Sequence, residues 1–176
     1  MSSTPHDWLK DLVRDIPDFP KQGVTFKDIT PLLSDKKAFS YTIDAIAHRF
    51  DRDRIDKVLG IEARGFMVAA PLAYRFTAGL IPVRKGGKLP WDVETQTYEL
   101  EYGTDALEIH KDAIAPGERI LIVDDVLATG GTARACVDLA ERAGGKVEGL
   151  AMILELTFLG GRNRLVGYDL FSLISY

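Results

Sequence analysis

One stretch constrains the fold of this chain more than any other. Arg119 leads into Ile120-Leu121-Ile122-Val123, an unbroken apolar run that stops on Asp124-Asp125. After Val126-Leu127 come the small residues Ala128-Thr129-Gly130-Gly131-Thr132, and then helical spacing in Ala133, Cys136, Val137 and Ala140. A short continuous β-branched run with no polar alternation reads as a strand covered on both faces, and helices are what cover it. The unit is strand, turn, helix. It recurs in Lys57-Val58-Leu59-Gly60-Ile61, closed by Glu62-Ala63-Arg64-Gly65 and followed by a helix-like segment to about Tyr74. Further strands are expected at residues 80–83, 146–154 and 168–173, with a helix at about 131–143. Strands alternating with helices dictate right-handed βαβ units. The expected fold class is α/β: an open, mostly parallel twisted sheet flanked by helices. Ligands of such sheets bind outside the carboxyl ends of the strands, at a switch in strand order. The loops after Ile61, Val83 and Val123 fall at such ends.

The remaining segments decorate that sheet. Leu9, Leu12, Val13 and Ile16 share the spacing of a helix over residues 8–16, broken by Pro17, Pro20 and Gly23. A second helix is expected at about 36–50, with Phe39, Ile43, Ile46, Ala47 and Phe50 on one stripe. Residues 84–90 form a loop rich in glycine and lysine. Tyr98, Leu100 and Tyr102 alternate with Glu99 and Glu101, and Gly103-Thr104-Asp105 turns the chain back into residues 106–110, a hairpin. At roughly 100–200 residues per domain, the 176 residues make one domain with a small N-terminal elaboration.

Charge and composition exclude several function classes. The chain carries 22 basic and 26 acidic residues, a net charge of -4, whereas nucleic-acid and acidic-membrane binders carry a cationic excess. No apolar stretch approaches the ~18 residues of a membrane span. The start, MSSTPHDWLK, lacks the basic and apolar regions of a secretory signal, so a cytoplasmic location is expected. The single cysteine, Cys136, lies in the apolar face of a helix pattern and reads as a core residue. His6, His48 and His110 are scattered, and no metal cage is legible.

The chemistry concentrates after Val123. Glycines let a backbone approach a ligand closely, threonines supply hydroxyls, and N–H groups at a helix start attract phosphate. Asp124 and Asp125 suit ribose hydroxyls or a magnesium-bound sugar phosphate. The turn lacks the lysine of a Walker-type loop and the spacing of a dinucleotide-binding one. A second anion site can be assembled from Arg64, Lys85 and Lys88. Taken singly, each residue has an ordinary alternative: Arg64 as a surface arginine, the lysines as a solvated loop, and Phe26 as a core aromatic. For Arg64, Lys85 and Lys88 the position at strand ends of one sheet favours a site; for Phe26 both readings stay open.

The apolar strand, Asp-Asp and Ala-Thr-Gly-Gly-Thr series resembles the signature of the type I phosphoribosyltransferases. From about residue 8 onward the chain is similar to the adenine-using branch of that family. Phe19-Pro20 with Gly23-Val24-Thr25-Phe26-Lys27-Asp28-Ile29-Thr30 resembles its base-binding stretch. Ile61-Glu62-Ala63-Arg64-Gly65-Phe66 resembles its pyrophosphate loop, and Arg84-Lys85-Gly86-Gly87-Lys88-Leu89-Pro90 with Leu100-Glu101-Tyr102-Gly103 its catalytic loop. The resemblance implies transfer of phosphoribose from phosphoribosyl pyrophosphate to adenine, giving AMP and pyrophosphate in purine salvage. It implies Mg2+ bound through the substrate, a homodimer, an N-terminal hood over about 1–35 and a mobile hairpin lid over about 84–105. Val24, Thr25, Phe26, Lys27 and Val126 are expected at adenine. Asp124, Asp125, Ala128, Thr129, Gly130, Gly131 and Thr132 are expected at the ribose and 5′-phosphate. Arg64, Arg84, Lys85, Lys88 and Tyr102 are expected at pyrophosphate, with Glu101 and Arg64 catalytic. Glu101 would exchange the purine proton; its alternative is an exposed strand glutamate.

The chain departs from a common family pattern at Glu62-Ala63, where Asp-Ser often precedes the arginine, and at Lys27, where arginine is frequent. Two rival readings differ in testable ways. A 6-oxopurine enzyme would carry a lysine near Leu154-Glu155-Leu156-Thr157-Phe158, and none is there. A non-catalytic sensor of the same substrate would append a DNA-binding domain, for which the residues before the sheet are too few.

Overall fold

The computed structural model describes residues 4–99 and 104–176. In chain order the elements are β1 (Arg14–Ile16), β2 (Phe26–Asp28), α1 (Thr30–Ser34), α2 (Lys36–Arg49), β3 (Lys57–Ile61) and α3 (Gly65–Phe76). Then come β4 (Gly79–Lys85), β5 (Val93–Glu99), β6 (Thr104–His110), β7 (Arg119–Leu127), α4 (Gly131–Arg142), β8 (Lys146–Glu155) and β9 (Leu170–Ser175). The main sheet runs in the order β5-β6-β4-β3-β7-β8-β9. Strands β4, β3, β7, β8 and β9 are mutually parallel, and the β5–β6 hairpin extends the β4 edge antiparallel. The expected α/β class is the observed one.

Alternate side chains of the central strands enter two separate cores. Val58, Leu121, Val123 and Ile153 pack with Ile43, Ile46, Val68 and Leu72 beneath α2 and α3. Leu59, Ile120, Ile122 and Met152 pack with Cys136, Val137 and Leu139 of α4. These strand residues are essentially inaccessible, as a two-faced parallel sheet requires. From β3 the chain winds one way to β4, and from β7 the other way to β8 and β9. The switch point is the gap between the ends of β3 and β7.

Three expectations need correction. Residues 8–16 do not form one helix: a 3-10 turn over Asp7–Leu12 is followed by β1, which pairs with β2 through Ile16↔Phe26. The i, i+3 spacing that buries Leu9 fits a 3-10 turn as well as an α-helix, and Pro17 pushes Ile16 into extended backbone. β7 does not stop before the aspartates, because Asp124↔Met152 and Val126↔Leu154 remain paired with β8. The hairpin starts earlier than residue 98, with Val93↔His110 already in register. The 36–50 helix is observed as α2, capped by the Asp35 carboxylate, which accepts the N–H groups of Lys37 and Ala38 at 2.9 and 2.8 Å. Among the described residues no helix is long and apolar enough to cross a membrane.

Candidate active site

The switch point is built by close backbone approach. A Cβ on Gly65 would stand 2.9 Å from the Val123 carbonyl oxygen and 3.0 Å from Asp124 Oδ1. Only glycine lets the start of α3 lie against the end of β7, and that contact brings Arg64 to the aspartates. Arg64 Nε lies 2.7 Å from Asp125 Oδ2, an ion pair without the alignment of a hydrogen bond. Its guanidinium also stands 4.7 Å from the centre of the Phe26 ring, a cation–π stack.

On the other side of the gap, Gly130 adopts φ +81°, a left-handed conformation suited to glycine. It caps α4, which begins at Gly131, and its carbonyl accepts Arg134 N–H at 2.9 Å. The first N–H groups of a 12-residue helix thus face the carboxyl end of the sheet. A cavity of about 300 Å³ opens there. Glu62, Ala63 and Arg64 form one wall, Lys85, Tyr98, Asp105 and Leu107 another, and residues 124–133 the floor and far side. A larger hollow, about 940 Å³, lies at the opposite end of the sheet between the ends of α2 and α3, lined by Arg52, Tyr74 and Arg75 among others. It contains none of the expected site residues, and α/β sheets bind ligands at their carboxyl ends.

The electrostatics of the smaller cavity are set by pairing. Burial, with the like charge of Asp125, pushes the Asp124 carboxyl well above the usual carboxylate range. Burial also raises Asp125, against the opposing pull of Arg64. Such a floor favours groups that donate to it or neutralise it. Burial would raise Glu62 too, yet hydrogen bonds from Lys88, the Lys85 N–H and Arg84 outweigh it and bring the carboxyl to about 2. Lys85 Nζ lies 3.1 Å from Asp105 Oδ2, and that contact raises the lysine. Tyr98 bridges the walls, its hydroxyl 3.4 Å from Asp105 Oδ2 and 3.5 Å from Thr132 Oγ1. Burial raises its pKa, so the phenol remains a donor.

The structure gathers some of the expected residues and leaves others apart. Arg64, Lys85, Asp124, Asp125, Val126, Ala128, Thr129, Gly130, Gly131 and Thr132 all line the one cavity. Arg84 and Lys88 do not; both are ion-paired with Glu62. Val24, Thr25, Phe26 and Lys27 lie outside the lining, although Phe26 reaches the site through Arg64. Lys27 Nζ is engaged by Asp15 at 2.6 Å and sits 3.9 Å above the Tyr176 ring. Glu101 and Tyr102 lie outside the described residues. Tyr98, Asp105 and Leu107 were not expected at the site. Strand pairing explains their arrival, since Tyr98 is opposite Asp105 in the hairpin, and the alternation of Tyr98 with Glu99 was the available signal.

Comparison with known proteins agrees with this geometry. The phosphoribosyl transferase domain family matches residues 32–160. A protein of Roseiflexus sp. (strain RS-1) named adenine phosphoribosyltransferase is 55% identical over 168 residues, 96% of this chain and 98% of that protein. The crystal structure of adenine phosphoribosyltransferase from Thermoanaerobacter pseudethanolicus superposes with a TM-score of 0.94 at 53% identity, covering 97% of this chain and 99% of that one. The Saccharomyces cerevisiae adenine phosphoribosyltransferase, solved with D-2,5-dideoxy-2,5-imino-altritol 1,6-bisphosphate and adenine, superposes at 0.90 with 37% identity, covering 96% of this chain and 97% of that one. With its sheet order, its acidic strand end and its glycine turn accounted for, the chain belongs to the phosphoribosyltransferase family, among the adenine phosphoribosyltransferases.

Proposed function

We propose that this chain transfers phosphoribose from phosphoribosyl pyrophosphate to adenine, yielding AMP and pyrophosphate. The observation that carries this is the meeting, in one cavity at the β3/β7 switch, of a helix-start turn, an acidic floor and two cations on separate walls. A ribose with phosphate groups at both ends needs that layout. The N–H groups of residues 128–132 and the hydroxyls of Thr129 and Thr132 receive the 5′-phosphate. Asp124 and Asp125 accept the ribose hydroxyls, and Arg64 with Lys85 receives the pyrophosphate. Arg84, Lys88 and Tyr102 belong to the same loop system, the first two as cations held in reserve on Glu62.

In the reaction the bond from ribose C1′ to pyrophosphate breaks and a bond to the adenine nitrogen forms, through an oxocarbenium-like state. Arg64 and Lys85 oppose the charge gathering on the departing pyrophosphate, and Glu101 takes the proton the base gives up. Phe26 and Val126 hold the faces of the ring. The backbone from Val24 to Lys27 meets the base edge; Val24 already donates its N–H to Lys21 and accepts the Phe19 N–H. Residues about 1–35 act as a hood, and the hairpin segment over about 84–105 as a lid that excludes water.

The donors present fit Mg2+ arriving with the substrate. Asp124 and Asp125 set two mutually repelling carboxyls on the floor of the cavity, and a cation carried in on the substrate would relieve them. Mg2+ prefers phosphate oxygens and water to an all-protein site, and bound with pyrophosphate it supplies neutralising charge to the leaving group. A cytoplasmic homodimer is the assembly and location we propose; the net charge of -4 fits a free protein in solution.

Comparing kcat/KM for adenine, hypoxanthine and guanine tests the function. A site built for the adenine donor and acceptor sets like against like with hypoxanthine, a mismatch that gives ~10⁴-fold discrimination. A hypoxanthine value within about tenfold of adenine overturns the assignment.

A further inference from the structure

We infer that Gly161 is a positioning residue for the phosphate turn, acting through backbone contact with residues 128–130 and not through substrate. Gly161 opens the 3-10 turn Gly161–Leu165, is buried, and does not line the cavity. A Cβ placed on it would overlap the Ala128 carbonyl oxygen and stand 2.9 Å from the Gly130 nitrogen. The relation is reciprocal: a Cβ on Gly130 would overlap the Gly161 carbonyl oxygen. Two glycines therefore meet back to back, one in the phosphate turn and one beneath it. Backbone atoms on both sides leave no side chain to swing away.

The supporting turn is anchored on its far side. Arg162 Nη2 and Nε donate to the two Glu155 carboxylate oxygens at 2.6 and 3.1 Å. Its Nη1 donates to the Leu170 carbonyl at 3.1 Å, and Nη2 reaches Ser172 Oγ at 3.4 Å. Glu155 is 5% exposed at the end of β8, and the two-point fork gives Arg162 one orientation. Leu165 closes the turn from the core beneath α4. The supporting turn cannot retreat, so bulk at position 161 displaces the phosphate turn by about 1 Å. Breaking one charge-assisted hydrogen bond to the phosphate in this way costs roughly 10–100-fold in affinity.

Gly161 acts this way only if residues 128–132 hold the 5′-phosphate as proposed above, so the experiment separates the two claims. Gly161→Ala, Arg162→Met and Thr132→Val are compared with the parent protein for AMP affinity by calorimetry and for steady-state kinetics. Gly161→Ala is expected to raise the AMP Kd and the KM for phosphoribosyl pyrophosphate by about 10–100-fold. The KM for adenine and kcat at saturation should stay within about threefold, a split that general loosening of the fold does not produce. Arg162→Met adds no bulk and leaves Glu155 beside the cavity that includes Thr157, Asn163 and Ser175, where water reaches it. It should raise the same two constants about 3–10-fold, with Arg162→Lys recovering part of the loss. Should Gly161→Ala fail to fold, Arg162→Met decides. If Thr132→Val weakens AMP while Gly161→Ala, folded, and Arg162→Met do not, the inference about Gly161 is overturned and the phosphate turn stands. If Thr132→Val leaves AMP affinity unchanged, it is the phosphate assignment that fails.

Discussion

Replacing Glu62 by glutamine separates the charge of this residue from its shape. Its side chain is 10% exposed and accepts the Lys85 N–H at 2.9 Å, Arg84 Nε at 3.4 Å, and Lys88 Nζ. A charge-assisted hydrogen bond contributes roughly 1.5–3 kcal/mol when sheltered. The side chains of Lys88 and Arg84 are 45% and 34% exposed, and screening reduces each ion pair to about 0.5–1 kcal/mol. The glutamine keeps an acceptor for the Lys85 N–H, so the expected loss at neutral pH is about 1–2 kcal/mol. For a chain of this length that is roughly 2–8 °C in Tm. The lowered pKa fixes the sign of the pH dependence. Glu62 contributes in full above its ordinary value of 4.5 and loses that contribution as pH falls through about 2, below which both folded and unfolded states bind the proton. Urea denaturation of parent and Glu62→Gln proteins should show a constant gap above about pH 5.5 that narrows steadily towards about pH 3. No gap at neutral pH, or one that stays constant down the series, refutes the ion-pair hub.

Three further expectations follow from single residues. Glu101→Gln should lower kcat by about 10²–10⁴ with little change in either KM, while Glu99→Gln, its neighbour, should not; equal effects would misplace the proton transfer. Cys136 is fully buried and its thiol is pushed far up by burial, so a thiol reagent should label it only on unfolding. Cys136→Ser should cost about 1–3 kcal/mol in a denaturant titration for a hydroxyl buried without its water. Asp105→Asn removes the carboxylate that competes for Lys85, and should tighten product inhibition by pyrophosphate about 2–5-fold, the equivalent of one screened ion pair. Weaker inhibition would make Asp105 an orienting group.

What could be read in advance was what neighbouring residues encode. The unbroken apolar run after Arg119 and the glycines after Ala128 specify a buried strand and a close turn through local sterics alone. The N-terminal turn was harder, because Leu9 and Leu12 reach the core from a 3-10 turn with the same spacing that an α-helix would use, and only the pairing of Ile16 with Phe26 decides. The partners of the loop cations were out of reach for a different reason. Glu62 meets Lys88 across 26 residues, and nothing in the spacing of either marks the pair. Gly160-Gly161 reads as an ordinary breaker until the β8-to-β9 connection folds beneath the start of α4.

The pairing of the cations explains how an acidic protein keeps a site for an anionic substrate in readiness. Each expected pyrophosphate ligand among the described residues already has a carboxylate: Arg64 has Asp125, Lys85 has Asp105, and Arg84 and Lys88 share Glu62. Unpaired cations clustered at one strand end would repel one another and weaken the compact state. Paired ones do not, but an arriving pyrophosphate must then take the cations from their carboxylates. The exchange is easiest where solvent already screens the pair. Lys85 is 54% exposed and Asp105 22%, whereas Asp125 is 6% exposed beneath Arg64. On that ground Lys85 is expected to exchange its carboxylate for the ligand more readily than Arg64, which would meet the pyrophosphate with Asp125 still beside it.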